Sequence, residues 1–202
     1  SLLGWSIAPD RDVFTIDELT AAFDVHDVNP NPARFDLKKA EAINGEHMRR
    51  LDPDTFTERM VPYLAEFFDD GKPTDEQYAL LRRATPLVQE RMQLLGEAPG
   101  MLGFLFTSTA DLEYAEDALK TLKDGASATL DATREALEAV TEWTTPMIEQ
   151  AMRAKLLDEL ELKPRLAFGP GRVAISGRRV SPPLFESMEL LGKQETLARL
   201  EK

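Results

Sequence analysis

The chain of 202 residues contains no cysteine. That excludes disulfides, a thiol nucleophile and a thiolate metal site, and it leads us to expect a reducing, cytoplasmic setting. Histidine is almost as scarce: His26 and His47 are the two side chains whose ordinary pKa lies near neutrality. His26 stands between Asp24 and Asp27, which sketches a metal or acid–base site, yet no second histidine follows at ligand spacing. There is no phosphate loop, no dinucleotide fingerprint and no HExxH pair. Ser176, in AISGR, lacks the strand–turn–helix setting of a nucleophile elbow. No apolar run approaches the roughly 20 residues that cross a bilayer, so no membrane partner is expected. The opening SLLGWSIAPDRD has no starting Met and none of the basic flank and apolar stretch of a signal peptide, which suggests a trimmed chain. These absences leave little basis for an enzyme complete in itself.

Positive charge is also in deficit, with 24 basic against 36 acidic side chains and a net charge of −12. Such a balance repels phosphates and argues against nonspecific binding of nucleic acid, DNA included. The deficit is uneven. Residues 1–68 and 69–161 carry −6 and −10, whereas residues 162–202 carry +4. Between Lys163 and Val180 there is no carboxylate, only Lys163, Arg165, Arg172, Arg178 and Arg179. A local anionic partner is therefore open.

What is abundant is helical periodicity, and the expected fold class is all-α (mainly helical) with at most minor extended segments. TIDE, Thr15 to Glu18, has capping-box spacing. VHDVNPNPARF reads as a loop punctuated by two Asn-Pro steps. DLKKAEAINGEHMRRL sets Leu37, Ala40, Ile43, His47, Met48 and Leu51 on one face. A helix from about Asp54 to Phe68 should be interrupted at Pro62. DDGKPTD, Asp69 to Asp75, is the candidate linker. Beyond it, TDEQYALLRRATPLVQERMQLLG predicts one long helix kinked at Pro86, and DLEYAEDALKTLK and ASATLDATREALEAVTEW predict two amphipathic helices. Thr145 is the expected N-cap of TTPMIEQAM. AFGPGRVAISG reads as an irregular turn followed by a short extended piece, and two helices close the chain. The expected organisation is 1–68, a helical region; 69–143, a first helical subdomain; and 144–202, a C-terminal subdomain.

The turn RVAISGRRVSPPLF concentrates what chemistry there is. Gly177 permits a tight turn from which Arg178 and Arg179 project, and Ser181 is placed to cap a helix opening with Pro182 and Pro183. A hydroxyl, a rigid proline face and planar guanidinium groups suit unstacked RNA bases, which are read by stacking and edge hydrogen bonds. The alternative, arginines decorating a surface turn, stays open at this point.

The segment RVAISGRRVSPPLFESMELLGKQETLARLE resembles the C-terminal end of bacterial glutamyl-tRNA synthetases, which are class I aminoacyl-tRNA synthetases. LLGWS, FTIDELTAAFD, PARFDLKKAEAINGEHMRRL, ALLRRATPLVQERMQLL and VTEWTTPMIEQAM resemble further segments of that family in the same order. The family's HIGH-like and KMSKS-like motifs are absent. The resemblance implies the tRNA-binding, anticodon-reading part of such a ligase, with tRNA(Glu) as partner and tRNA(Gln) left open. In the full-length enzyme it implies ATP and Mg²⁺; for this part alone it implies no cofactor, and it is expected to be a monomer. By the same resemblance Arg172, Ser181, Pro182 and Leu184 match residues that meet anticodon bases. Arg91 matches an arginine that separates glutamate from glutamine anticodons, and a two-residue slip would put Gln89 there. Pro183 stands where a glycine is frequent, which removes a backbone donor. Arg178 and Arg179 are candidate phosphate contacts, as are Lys38, Lys39, Asn44, His47 and Arg49 along the stem. The competing reading is an acidic helical scaffold that binds a basic protein and has no preference among tRNAs.

Overall fold

Local chemistry starts most of the helices. In this computed structural model, which describes residues 4–31 and 34–201, Thr15 and Glu18 form the expected capping box at the start of α1, Ile16–Ala22. Leu2, Leu3, Pro32 and Ala33, on which parts of the family resemblance rest, lie outside the described residues. The Val25–Asp27 stretch of the expected loop makes one 3₁₀ turn. Asp36 caps α2, Leu37–Arg49, and Asp52 caps α3, Pro53–Met60. The interruption expected at Pro62 is present: a 3₁₀ stretch, Val61–Phe67, takes over where proline withholds its N–H.

After the turn Asp69–Gly71, Thr74 and Gln77 build a second capping box for α4, Asp75–Val88. The long helix expected to reach Gly96 stops early, at Val88. Pro86 deletes one backbone donor in its last turn, and Gln89 turns inward instead, donating to the carbonyls of Met48 (3.1 Å) and Leu51 (2.8 Å). Those carbonyls belong to the end of α2 and the residues after it, so the side chain satisfies groups a helix terminus leaves free. The short α5, Ala98–Leu102, runs into a 3₁₀ turn, Gly103–Phe106.

DLEYAEDALKTLK, expected to be an amphipathic helix, forms only one turn, α6, Glu116–Leu119. Its N-terminal half is held extended by tertiary bonds: the Tyr114 hydroxyl donates to the Ala174 carbonyl at 3.2 Å and the Ala115 N–H to the Gly177 carbonyl at 2.9 Å. Then come α7, Ala126–Glu138, and α8, Thr145–Arg153, which continues as a π-helical stretch, Ala154–Glu159. The N-cap of α8 is Thr144, one residue before the expected Thr145.

The largest departure is α9, Pro164–Ser176, a full helix where a turn and an extended piece were expected. Pro164 occupies its first position, where no N–H is needed. Pro170 and the flanking glycines lower its propensity, but Ala167, Pro170, Val173, Ala174 and Ile175 are all buried, and tertiary packing overrides propensity. Gly177 ends it with φ +66°. The chain closes with α10, Leu184–Leu191, and α11, Lys193–Glu201. Ser181 does not cap α10; Pro183 holds the N-cap position and no side chain bonds there. Among the described residues the sole β-type pairing is one isolated bridge, Ala8 to Arg11, and no helix is long and apolar enough to span a membrane.

The apolar interior forms two clusters. One runs from Met48 to Leu112 and includes Phe56, Met60, Leu64, Leu81, Val88 and Leu102. The other, built from α7 to α11, includes Leu137, Ile148, Met152, Leu156, Ile175 and Met188. Arg199, only 1% exposed, lies where the two meet. Its guanidinium donates to the carbonyls of Phe104 (3.0 Å), Thr107 (2.6 Å) and Ile175 (2.6 Å) and to the Glu195 carboxylate (3.0 Å). Burial pushes the Arg199 pKa down, and Glu195 acts against that push.

This packing has two measurable consequences. Arg199→Ala takes the donor from three carbonyls, those of Phe104, Thr107 and Ile175, while Glu195 keeps its bond from Thr109, so chemical denaturation should show a loss of about 3–5 kcal/mol, with Arg199→Lys recovering only part of it. Gly177→Ala would set a Cβ 2.1 Å from the Glu113 carbonyl oxygen at a left-handed φ. A loss of about 2 kcal/mol or more is expected in the same measurement.

Candidate nucleic-acid interface

Arg172 projects from the third turn of α9 and reaches across the reversal that follows it. Its Nη1 donates to Ser181 Oγ at 2.6 Å, to the Pro182 carbonyl at 2.7 Å and to the Ser181 carbonyl at 3.4 Å. Ser176 Oγ closes the α9 end of this turn, donating to the Arg172 carbonyl at 2.7 Å and accepting from the Arg178 N–H at 3.2 Å. The serine–proline turn is thus held by a cation on the preceding helix, with no freedom left in its carbonyls. Ser181 is 1% and Leu184 4% exposed, and Pro182 is buried with them. Leu184 belongs to the second apolar cluster, whereas Pro183 remains partly open.

Arg91 comes from the other apolar cluster, on the exposed turn after α4. It makes no salt bridge among the described residues. Its charge nevertheless acts on Arg172: burial first, and then the Arg91 guanidinium, lower the Arg172 pKa, while Glu186 raises it. Arg91 lies just past the end of α4, and α4 packs against α10, the helix that follows the turn held by Arg172. Gln89, the alternative under the two-residue slip, is buried and committed to the α2 carbonyls.

A groove of about 810 Å³ opens beside Arg172. One wall is the segment from Thr121 to Thr129, which includes the start of α7; the other is α9 from Pro164 to Val173, with Arg179 at the rim. Lys123, Arg165, Arg172 and Arg179 line it, against a single carboxylate, Asp124. Lys123 and Arg165 were not singled out as contacts in the sequence. The signal for Arg165 was its place in the carboxylate-free stretch; Lys123, in a strongly acidic region, gave none.

The structure separates the two turn arginines. Arg179 faces the groove, but Arg178 lines a different cavity beside Glu66, Asp111 and Glu113. Along the first 68 residues, Lys39 pairs with Asp12 at 2.9 Å and Arg49 with Glu46 at 2.6 Å. The Asn44 amide is bonded to the Gln93 carbonyl, while Lys38 is exposed and makes no salt bridge among the described residues. His47 lines a cavity with Arg59 and Tyr63, apart from the basic groove. Among the described residues no three His, Asp or Glu side chains converge as metal ligands, and His26 is an exposed residue of the 3₁₀ turn.

The family model described as anticodon binding domain matches residues 55–202. A protein named glutamate–tRNA ligase from Leifsonia xyli subsp. xyli is 59% identical over 99% of this chain, and one of the same name from Kineococcus radiotolerans is 55% identical over all of it. The chain spans about two-fifths of the length of these curated relatives, 41% and 40% respectively. Solved structures agree in fold. A glutamate tRNA ligase from Elizabethkingia meningosepticum superimposes with a TM-score of 0.75 at 22% identity, covering 99% of this chain and 38% of that one. The glutamate-tRNA synthetase of Elizabethkingia anophelis gives 0.76 at 23% identity over the same shares. Nothing in these comparisons supports the acidic-scaffold reading. The chain belongs to the anticodon binding domain family.

Proposed function

We propose that this chain is the tRNA-recognition part of a glutamate–tRNA ligase, reading the anticodon of tRNA(Glu) with Arg172 and Arg91. The observation that carries the reading is the hold of Arg172 on the Ser181–Pro182 turn beside an open groove lined by four cations and one carboxylate. Guanidinium groups on one surface supply planar donors for base edges and faces. In this reading Ser181, Pro182 and Leu184 act mainly through the shape of the turn. The Ser181 hydroxyl and the Pro182 carbonyl hold Arg172 in place, and Leu184 anchors the turn in the core. Lys38 and His47 remain candidates for stem contacts. Lys39 and Arg49 have paired carboxylates that would have to release them first, and Arg178 lines a separate cavity. ATP and Mg²⁺ serve the catalytic part of such a ligase, and the proposal assigns no catalytic step to this chain. The division into stem-contact region and two anticodon-binding subdomains belongs to the same proposal, as do a monomeric state and a cytoplasmic setting.

Binding to transcribed tRNA(Glu), tRNA(Gln) and an unrelated tRNA of equal length tests the reading. Charge reversal at Arg172 should weaken tRNA(Glu) binding by roughly tenfold or more, the cost of losing one charged contact. The same change at Arg134, which pairs with Glu138 on α7, should leave it nearly unaltered. Arg91→Ala should narrow the ratio between tRNA(Glu) and tRNA(Gln). Equal binding of all three tRNAs by the unaltered chain would overturn the anticodon assignment.

A further inference from the structure

The groove beside Arg172 gathers several cations that make no salt bridge among the described residues. Elsewhere many cations are neutralised, Arg82 by Asp54, Arg153 by Glu149 and Lys155 by both Glu135 and Glu159, and the unpaired Lys38 and Arg91 lie outside the groove. Lys123, Arg165 and Arg179 have no salt bridge or side-chain hydrogen bond among the described residues, although all three line one groove. In a chain with 36 carboxylates and 24 cations, three unpaired cations around one cavity concentrate positive potential where the rest of the surface is negative.

The walls suit a chain-like anion. Phe168, Leu166 (45% exposed), Pro164 and Pro170 give an apolar side against which sugars and bases can lie. The volume is within the range of about 300–1,000 Å³ typical of ligand sites. A Cβ added at Gly125 or Gly169 would meet nothing within 4 Å, so the groove is open at both walls. Arg172 also lines the groove, with its Nη1 occupied by the serine–proline turn.

We propose that this groove seats consecutive phosphodiesters of a single-stranded RNA segment through Lys123, Arg165 and Arg179, without base preference. Arg172 marks the border with the base-reading residues. The proposal rests on the tRNA reading for its choice of RNA strand, but not for the groove itself. Lys123, Arg165 and Arg179 are positioning residues in this scheme: they hold the strand in register, and the reading of bases happens beyond Arg172.

The test uses the purified chain and four probes: an anticodon stem-loop of tRNA(Glu), the same stem-loop with a scrambled anticodon, a blunt duplex of equal length, and inorganic triphosphate. Removing the three charges together (Lys123→Gln, Arg165→Gln, Arg179→Gln) should weaken both stem-loops by the same factor, roughly tenfold at moderate salt. The slope of log affinity against log salt should become shallower by about 2, since each single-strand phosphate that is no longer neutralised removes about 0.7. Gly169→Glu, which adds a carboxylate in open space, should weaken both loops similarly while thermal unfolding stays unchanged; this variant keeps the test valid if the triple one folds poorly. Arg134→Gln is the control for a distant cation.

A weakening no greater than that control would overturn the groove, even if the unaltered chain prefers the cognate loop. An altered ratio between the cognate and scrambled loops would overturn it too, by making these residues base readers. Equal binding of the duplex, or competition by triphosphate at concentrations that match the stem-loop, would overturn the strand assignment. If the unaltered chain shows no preference between the loops but the groove variants weaken both, the groove stands and the anticodon reading falls. Binding to neither loop would overturn both.

Discussion

All five N–H groups of the Arg199 guanidinium are used inside the protein: two on carbonyls from Nη1, one carbonyl and Glu195 from Nη2, and Glu195 again from Nε. Taking such a cation out of water costs several kcal/mol even after relaxation, and only complete satisfaction offsets it. That constraint is geometric. Phe104 and Thr107 flank the 3₁₀ turn of the first cluster, Ile175 lies on α9, and Glu195 shares α11 with Arg199. The planar fork fits only when the three elements stand in one arrangement, so the relation between the two apolar clusters is specified as well as stabilised.

The proposed recognition surface inherits its geometry from that arrangement. Arg91 follows α4 of the first cluster and Arg172 lies on α9 of the second, so their relative placement depends on how the clusters meet. Further ties act in the same direction. Arg83 of α4 approaches Glu189 of α10 at 3.6 Å, and the extended Tyr114–Ala115 segment bonds to the Ala174 and Gly177 carbonyls. Within the second cluster, Trp143 donates to the Met188 carbonyl at 2.9 Å, and Lys193 satisfies the carbonyls of Glu138 and Val140 at the end of α7. A recognition surface assembled from distant segments needs this kind of redundancy, because small misplacements of donors cost both affinity and discrimination.

The all-helical class, the capping boxes at Thr15 and Thr74 and the break at Pro62 were legible because each depends on residues a few positions apart. What failed depended on partners far along the chain. α9 contains two prolines and two glycines, and its helical state comes from the burial of Val173, Ala174 and Ile175 against helices a linear reading cannot see. Leu112, Ala115 and Leu119 have helical spacing, yet bonds from Tyr114 and Ala115 to α9 and the residue that ends it hold the start of that segment extended. α4 ends at Val88 since Gln89 finds carbonyls at the end of α2. The candidate site divides in the same way. Arg172, Arg179 and Arg91 stood out through charge and motif, whereas Lys123 joins the groove only through folding. Arg178 and Arg179, adjacent in sequence, leave their turn toward different cavities.

An overall charge of −12 is compatible with RNA binding once distances are considered. At physiological ionic strength the screening length is about 8 Å, so a phosphate inside the groove interacts mainly with Lys123, Arg165, Arg172 and Arg179 and only weakly with carboxylates on remote helices. The remote carboxylates then act during approach, disfavouring every orientation except the one that presents the basic groove. Asp124 is the one negative group lining the groove, and it limits how tightly any strand is held there. In the proposed reading, discrimination falls to the guanidinium that the serine–proline turn fixes, Arg172, because the groove's other charges would attract every sequence alike.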